Sequence, residues 1–176
     1  MNETNTLNNN KVNIIFLDVD GVLNCNTTID RCDEYIGIED QKVSYLKEIV
    51  EATKAKIVLV SSWKEFWHRN PSNKLFQDNL ANYLDNKLAK QGLKIVDKTY
   101  DAYGPINRGE GVLDYLWLLK RREVEVNNYV ILDDLPFDYL KTKLTKKLVK
   151  TNSKKGLQPK HVKKAIEILN NNKEGN

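Results

Sequence analysis

The chain has 176 residues, 40% of them apolar and 30% charged, with a net charge of +4. That length supports one domain with a real core rather than two, and the composition is that of a globular protein, not of a disordered or fibrous one. No apolar run approaches the roughly 18–20 residues of a membrane span, and the first residues, MNETNTLNNNK, lack the basic and apolar regions of a secretory signal.

Residues 1–10 are rich in Asn and Thr and have little to bury, so they read as a disordered tail before a domain over 11–170 and a frayed end at 171–176. Residues 12–17 (VNIIFL) predict a first strand, and it stops in Asp18-Val19-Asp20-Gly21. Residues i and i+2 of a strand share a side. Both carboxylates then face one small volume, where two anions repel unless a cation or a shared proton lies between them. A strand followed by an ordinary Asp-Gly turn is the plainer alternative. Residues 25–38 show no period and read as a loop over the strand end. This loop holds the only two cysteines, Cys25 and Cys32, which lack nearby histidines and fit no zinc pattern. No disulfide framework is expected, and a reducing cytoplasm is the default compartment.

A helix is expected over 39–53, with Val43, Leu46, Ile49 and Val50 inward. The run 56–63 (KIVLVSSW) reads as a strand buried on both faces that ends in Ser61 and Ser62. Residues 63–91 read as mostly helical, broken near Asn70-Pro71, with Leu75, Leu80, Leu84 and Leu88 on one side and Gly92 as the stop. A short strand at 93–96, a loop over 97–107 and a helix over 110–122 follow. That helix is expected to bury Leu113, Leu116, Trp117 and the stem of Lys120. The strand 128–134 (NYVILDD) repeats the opening theme by ending in Asp133 and Asp134. A final strand is read at 147–150, and Pro159 starts a last helix with Val162, Ala165, Ile166 and Leu169 inward. From Lys141 to Lys164 there are ten lysines and no acid. That stretch is either a solvated basic surface or a patch that attracts the phosphates of a polyanion or charged metabolite.

Strands alternating with helices predict an α/β protein with a parallel sheet between two helical layers. Ligands of such sheets sit at the carboxyl ends of the strands, and here three of those ends carry Asp18/Asp20, Ser61/Ser62 and Asp133/Asp134. The four aspartates together make an oxygen-rich cage, which selects magnesium over zinc or copper and through it phosphate. Ser61 can donate to a phosphoryl oxygen. Arg108, just before a helix, is the candidate cation, and the helix N-terminus adds partial positive charge.

These residues resemble the haloacid dehalogenase (HAD) superfamily of phosphatases and phosphotransferases. The family's first motif, an apolar strand ending DxDG[VT][LI], matches Asp18-Val-Asp20-Gly21-Val22-Leu23. Ser61, with Ser62 beside it, matches the second motif; Arg108 looks like the third, and Asp133-Asp134 like the fourth. Order and spacing agree over almost the whole chain. The stretches DVDGVLN, SSW, NRGEGV and ILDD look like small HAD domains, including those fused to RNA-repair modules.

The resemblance implies a three-layer Rossmann-like parallel sheet with a minimal cap, because only the short 25–38 segment follows the first motif. It implies Asp18 as nucleophile and Asp20 as the acid and base. Ser61, Ser62, Gly21 and Arg108 would contact the substrate. Asp18, Asp134 and the backbone carbonyl of Asp20 would hold magnesium and Asp133 would bind a metal water or the cationic side chain, with the choice of direct ligand between Asp133 and Asp134 left open. Asp138 reads either as a further metal neighbour or as a helix-start acid. The implied activity is a magnesium-dependent phosphatase hydrolysing a phosphomonoester through an aspartyl-phosphate. An open site would admit bulky substrates, and Trp63, Trp67 and His68 are placed to line its entrance or to pack a helix. Asn26, Tyr100 and Tyr103 are further positional candidates. Two alternatives stand beside this reading. One is a nucleic-acid end (3′ or 5′) phosphatase that uses the lysine-rich stretch; the other is a non-catalytic, receiver-like phosphate-binding module.

Overall fold

The computed structural model describes residues 11–65, 67–68, 79–100 and 106–171. The expected tail at 1–10, the Asn70-Pro71 break, Leu75, Tyr103 and residues 172–176 lie outside the described residues. The described chain opens on β1 (Val12–Leu17), followed by a small hairpin of β2 (Arg31–Cys32) and β3 (Tyr35–Ile36), then α1 (Asp40–Thr53) and β4 (Lys56–Leu59). A short 3-10 turn (Ser62–Lys64) leads on, and α2 (Asn79–Ala89), β5 (Ile95–Lys98) and α3 (Arg108–Arg121) follow. The last elements are β6 (Val126–Asp133), β7 (Leu148–Lys150) and α4 (Pro159–Asn170).

Five strands pair in the order β5-β4-β1-β6-β7, all parallel, with β1 in the centre. The chain builds one half of the sheet outward from β1 and then returns to build the other. That reversal opens a crevice beside the central strand, at its carboxyl end. Alternation along β1 divides the core in two. Ile15 and Leu17 pack with Leu46 of α1, Leu84 of α2 and Ala165 of α4. Ile14 and Phe16 pack on the opposite face with Val112 and Tyr115 of α3, and with Tyr139 and Leu144 from the segment after β6. The result is the expected three-layer α/β architecture. Among the described residues, no helix is long and apolar enough to cross a membrane.

Four expectations are corrected. The 25–38 segment is not all loop, because Arg31 pairs with Ile36 and Cys32 with Tyr35 around a turn with Asp33 at φ 52°. Strands of two residues are too short to show a period. The strand expected over 56–63 ends at Leu59; Val60 makes one more bond, to the Leu17 carbonyl, before the chain turns at Ser61. The strand expected at 93–96 runs instead over Ile95–Lys98. The helix expected between Trp63 and the break near Asn70-Pro71 is not found among the described residues: a 3-10 turn covers Ser62–Lys64, Trp67 and His68 are not helical, and α2 is described over Asn79–Ala89.

The buried face of α3 also differs from expectation. Trp117 is 58% exposed and Leu113 is 38% exposed, while Gly109, Gly111, Val112 and Tyr115 are buried. The two glycines set this rotation. A Cβ at Gly111 would meet the Tyr100 carbonyl at 2.7 Å, and one at Gly109 would collide with Thr142. The helix therefore lies closest to its surroundings along its smallest residues, which turns Trp117 outward beneath the Arg121 guanidinium, 5.0 Å from the ring centre.

Candidate active site

Parallel pairing carries Leu17 opposite Leu132, and the Asp18 amide continues the ladder by donating to the Leu132 carbonyl at 2.9 Å. Asp18 and Asp133 therefore leave adjacent strands side by side. Arg108, the first residue of α3, reaches between them. Its Nη1 lies 3.0 Å from Asp18 Oδ1 and 2.9 Å from Asp133 Oδ2. Its guanidinium also rests on the Phe137 ring, 4.1 Å from the centroid.

The two buried acids are treated differently. Both oxygens of Asp133 are bonded: Oδ2 accepts from Arg108 and from the Tyr139 hydroxyl at 2.8 Å, and Oδ1 accepts from the Leu135 amide at 3.0 Å. Asp18 is 2% exposed, yet Arg108 approaches its Oδ1 off the hydrogen-bonding direction. That oxygen is the one buried side-chain polar atom without a hydrogen bond among the described residues. Burial, reinforced by the Asp133 charge, pushes the Asp18 carboxyl up to about 7 against the pull of Arg108 and a Ser61 hydrogen bond. Burial also raises Asp133, although Arg108, the Leu135 amide and Tyr139 oppose it. Asp134 is raised by burial and then by Asp133. Burial works against the charge of Arg108, but Asp18 and Asp133 outweigh it and hold the guanidinium protonated.

The turn after β1 places the second acid. Gly21 has φ +69°, the left-handed region that side chains disfavour, and a Cβ there would collide with the Asp134 carboxylate. Only glycine lets Asp134 stand over this turn. Asp20 is exposed, and its oxygens accept from Asn24 Nδ2 and Trp63 Nε1, both at 2.9 Å. Ser61 is fully buried at the end of β4, where its Oγ accepts from the Trp63 amide at 3.4 Å; Ser62 faces solvent. Asp138 caps α3 by accepting from the Gly109 and Glu110 amides at 2.6 and 3.1 Å, and so fixes the helix end that carries Arg108.

The sequence-nominated residues thus meet at one end of the sheet. Asp18, Asp133 and Asp134 each bring a carboxylate oxygen within 4.8 Å of the others, a set that can hold a metal ion, while the Asp20 side chain lies outside it. One guanidinium for three carboxylates and an unbonded buried oxygen both fit a cation there. Among the positional candidates, Asn26 and Tyr100 are exposed and Trp67 is buried with its indole N–H on Asp85 at 3.0 Å. Sequence reasoning gave no part to Asn24 or Tyr139. The Asn that closes DVDGVLN was a usable signal, because a buried polar side chain beside a tight turn must find partners. Tyr139 carried no signal, since its partner comes only from tertiary packing.

Comparison with curated proteins gives no match. A family model described as "HAD domain in Swiss Army Knife RNA repair proteins" matches residues 14–162, from within β1 to within α4, and so takes in every site residue described above. With the DxDG turn, the buried serine, the arginine and the acidic pair gathered at the carboxyl end of a parallel sheet, the chain belongs to this family of HAD domains.

Proposed function

We propose that the protein is a magnesium-dependent phosphatase that hydrolyses a phosphomonoester through an aspartyl-phosphate. The observation that carries this reading is Asp18: a buried carboxylate with one unbonded oxygen, beside a guanidinium and two further acids. A nucleophile needs an oxygen that is not already committed to hydrogen-bond donors, and both oxygens of Asp133 are committed to them.

In the first step an Asp18 oxygen attacks phosphorus, the bond to the leaving oxygen breaks, and Asp20 gives that oxygen its proton. In the second, Asp20 takes a proton from water. The water oxygen attacks phosphorus, and the bond to Asp18 breaks to release inorganic phosphate. Arg108 and Ser61 neutralise and orient the phosphoryl oxygens throughout. Magnesium would be held by Asp18, Asp134 and the Asp20 backbone carbonyl, where it would supply charge neutralisation for the phosphoryl group. Asp134 is the better direct ligand because the oxygens of Asp133 already serve Arg108, Tyr139 and Leu135. Cys25 and Cys32 are buried and form no disulfide among the described residues, which fits work in a reducing cytoplasm.

The test is phosphate release from an aryl phosphate with magnesium or with chelator. Magnesium-dependent turnover that Asp18→Asn removes is expected; turnover in chelator would sink the mechanism. A second reading, a nucleic-acid end phosphatase, is favoured by the family's description as a domain of RNA repair proteins and by the loop after β7. That loop bonds to the site through Thr151 Oγ1 on the Gly21 carbonyl and the Asn26 amide on the Ser153 carbonyl, and it exposes Lys154 and Lys155. Under it, phosphorylated oligonucleotides should outcompete small phosphates, with activity that falls steeply as salt rises. Salt-independent turnover would remove this reading and leave the first intact.

A further inference from the structure

Asp20 is an exposed side chain gripped by two buried ones. An exposed carboxylate is ordinarily free to exchange rotamers in water, and holding it carries an entropy penalty. Here Trp63 Nε1 donates to one oxygen and Asn24 Nδ2 to the other. Both donors are anchored from behind. Trp63 is buried, its amide is tied to Ser61, and its ring lies 6.4 Å from that of Tyr83. Tyr83 in turn accepts from the Ile38 amide at 2.7 Å and donates to Asp30 at 2.8 Å. Asn24 is buried, accepts from the Gly21 amide at 2.8 Å, and also reaches the Ile36 carbonyl at 3.3 Å. The grip on Asp20 therefore runs back to the hairpin and to α2.

We propose that Trp63 is a positioning residue for Asp20: its indole N–H, paired with the Asn24 amide, fixes the plane of the carboxyl group that moves protons during phosphoryl transfer. The inference rests on the phosphatase reading above. Each carboxyl oxygen has two acceptor sites, so one donor on each leaves a site for the travelling proton. The indole donates and cannot accept, so it orients Asp20 without competing for that proton. General acid catalysis demands this control, because the proton must lie within hydrogen-bond reach of the leaving oxygen.

The discriminating experiment uses Trp63→Phe, which keeps a ring and deletes the N–H, on two substrates with magnesium present. Phenyl phosphate has a basic leaving group that needs the proton; 4-nitrophenyl phosphate has one that hardly does. The expected result is a fall in kcat/KM of roughly 10- to 100-fold on phenyl phosphate, the range that small misplacements produce, with a much smaller fall on 4-nitrophenyl phosphate. In an Asp20→Asn background the same substitution should change neither. Equal losses on both substrates, or a full further loss in the Asp20→Asn background, would overturn the proposal while leaving the phosphatase reading standing. No turnover of either substrate by the unsubstituted protein would remove both. If Trp63→Phe fails to fold, Asn24→Ser removes the other donor and is read by the same contrast, with the same two outcomes.

Discussion

Two acidic pairs end two neighbouring strands, and they are built to opposite ends. After β1 the acids are separated by Val19: Asp18 is buried with an unbonded oxygen, and Asp20 stands outside, clamped by Trp63 and Asn24. After β6 the acids are adjacent: Asp133 is buried with both oxygens bonded, and Asp134 is half-buried, takes no hydrogen bond from another described residue and faces Gly21. In each pair one acid is fixed by protein donors and the other is left with capacity to spare. The fixed and the spare members exchange places between the pairs. Burial alone therefore does not mark the reacting acid, since both Asp18 and Asp133 are buried. What separates them is the supply of donors, which makes one a fastener and the other a ligand or nucleophile.

The same substitution at the two buried positions should break this comparison apart. Asp18→Asn is expected to lower phosphate release by on the order of 10⁴-fold or more, the scale seen when a nucleophile is lost, while the fold survives, because burial already penalises the charge it removes by more than Arg108 supports it. Turnover measured beside thermal melting checks both halves; retention of activity would end the nucleophile assignment. Asp133→Asn should act on the fold. Three donors converge on its two oxygens, and an amide offers one oxygen while turning an NH₂ toward a donor. Breaking a buried charged pair in this way costs roughly 3–5 kcal/mol, so a drop in melting temperature on the order of 10 °C is expected. A melting curve that matches the unsubstituted protein would show that Asp133 is not the fastener.

This contrast could not be seen in the sequence, although the acids could. DVDGVL and ILDD were legible because an apolar strand ending in paired acids is a local pattern, and the parallel sheet followed from the alternation of elements. The donors that distinguish Asp133 from Asp18 come from Arg108 and Tyr139, and nothing local to Asp133 specifies where they point. The misjudged face of α3 has the same origin. Counting large apolar residues chose Leu113 and Trp117, whereas Gly109 and Gly111, which let the helix approach its neighbours, decide the rotation. Position alone placed Trp63 at the entrance or in helix packing; its indole bond to Asp20, which joins residues 43 apart in the chain, was not legible.

Within the second pair the comparison sharpens to metal affinity. If Asp134 is the spare acid, Asp134→Asn should leave melting in chelator nearly unchanged and raise the magnesium concentration for half-maximal activity. Substitutions around metal sites shift affinity by about 10- to 100-fold, and a direct ligand belongs at the upper end. A magnesium titration of turnover reads this directly. An unchanged midpoint would move the ligand role away from Asp134.

The smallest effect is on stability alone, and its sign follows from the burial of Asp18 beside Asp133. The Asp18 carboxyl sits at about 7 in the folded protein against 3.8 for an ordinary aspartate. Between those values the folded protein keeps a proton that the unfolded chain has released. Stability is therefore full below about pH 4, declines as pH rises toward 7 and levels off beyond it. Asp133 and Asp134 are raised too and push the same way. Melting of the protein in chelator should fall by several degrees between pH 5 and pH 8, since each kcal/mol moves a domain of this size by about 2–4 °C. Magnesium should flatten the slope, because a bound cation favours the ionised acids and binds only the folded state. Asp18→Asn should flatten it without magnesium, and in chelator at pH 8 it should melt above the unsubstituted protein. A slope that survives Asp18→Asn intact would place the titration elsewhere, and Asp18 would then be as well supported by its neighbours as Asp133.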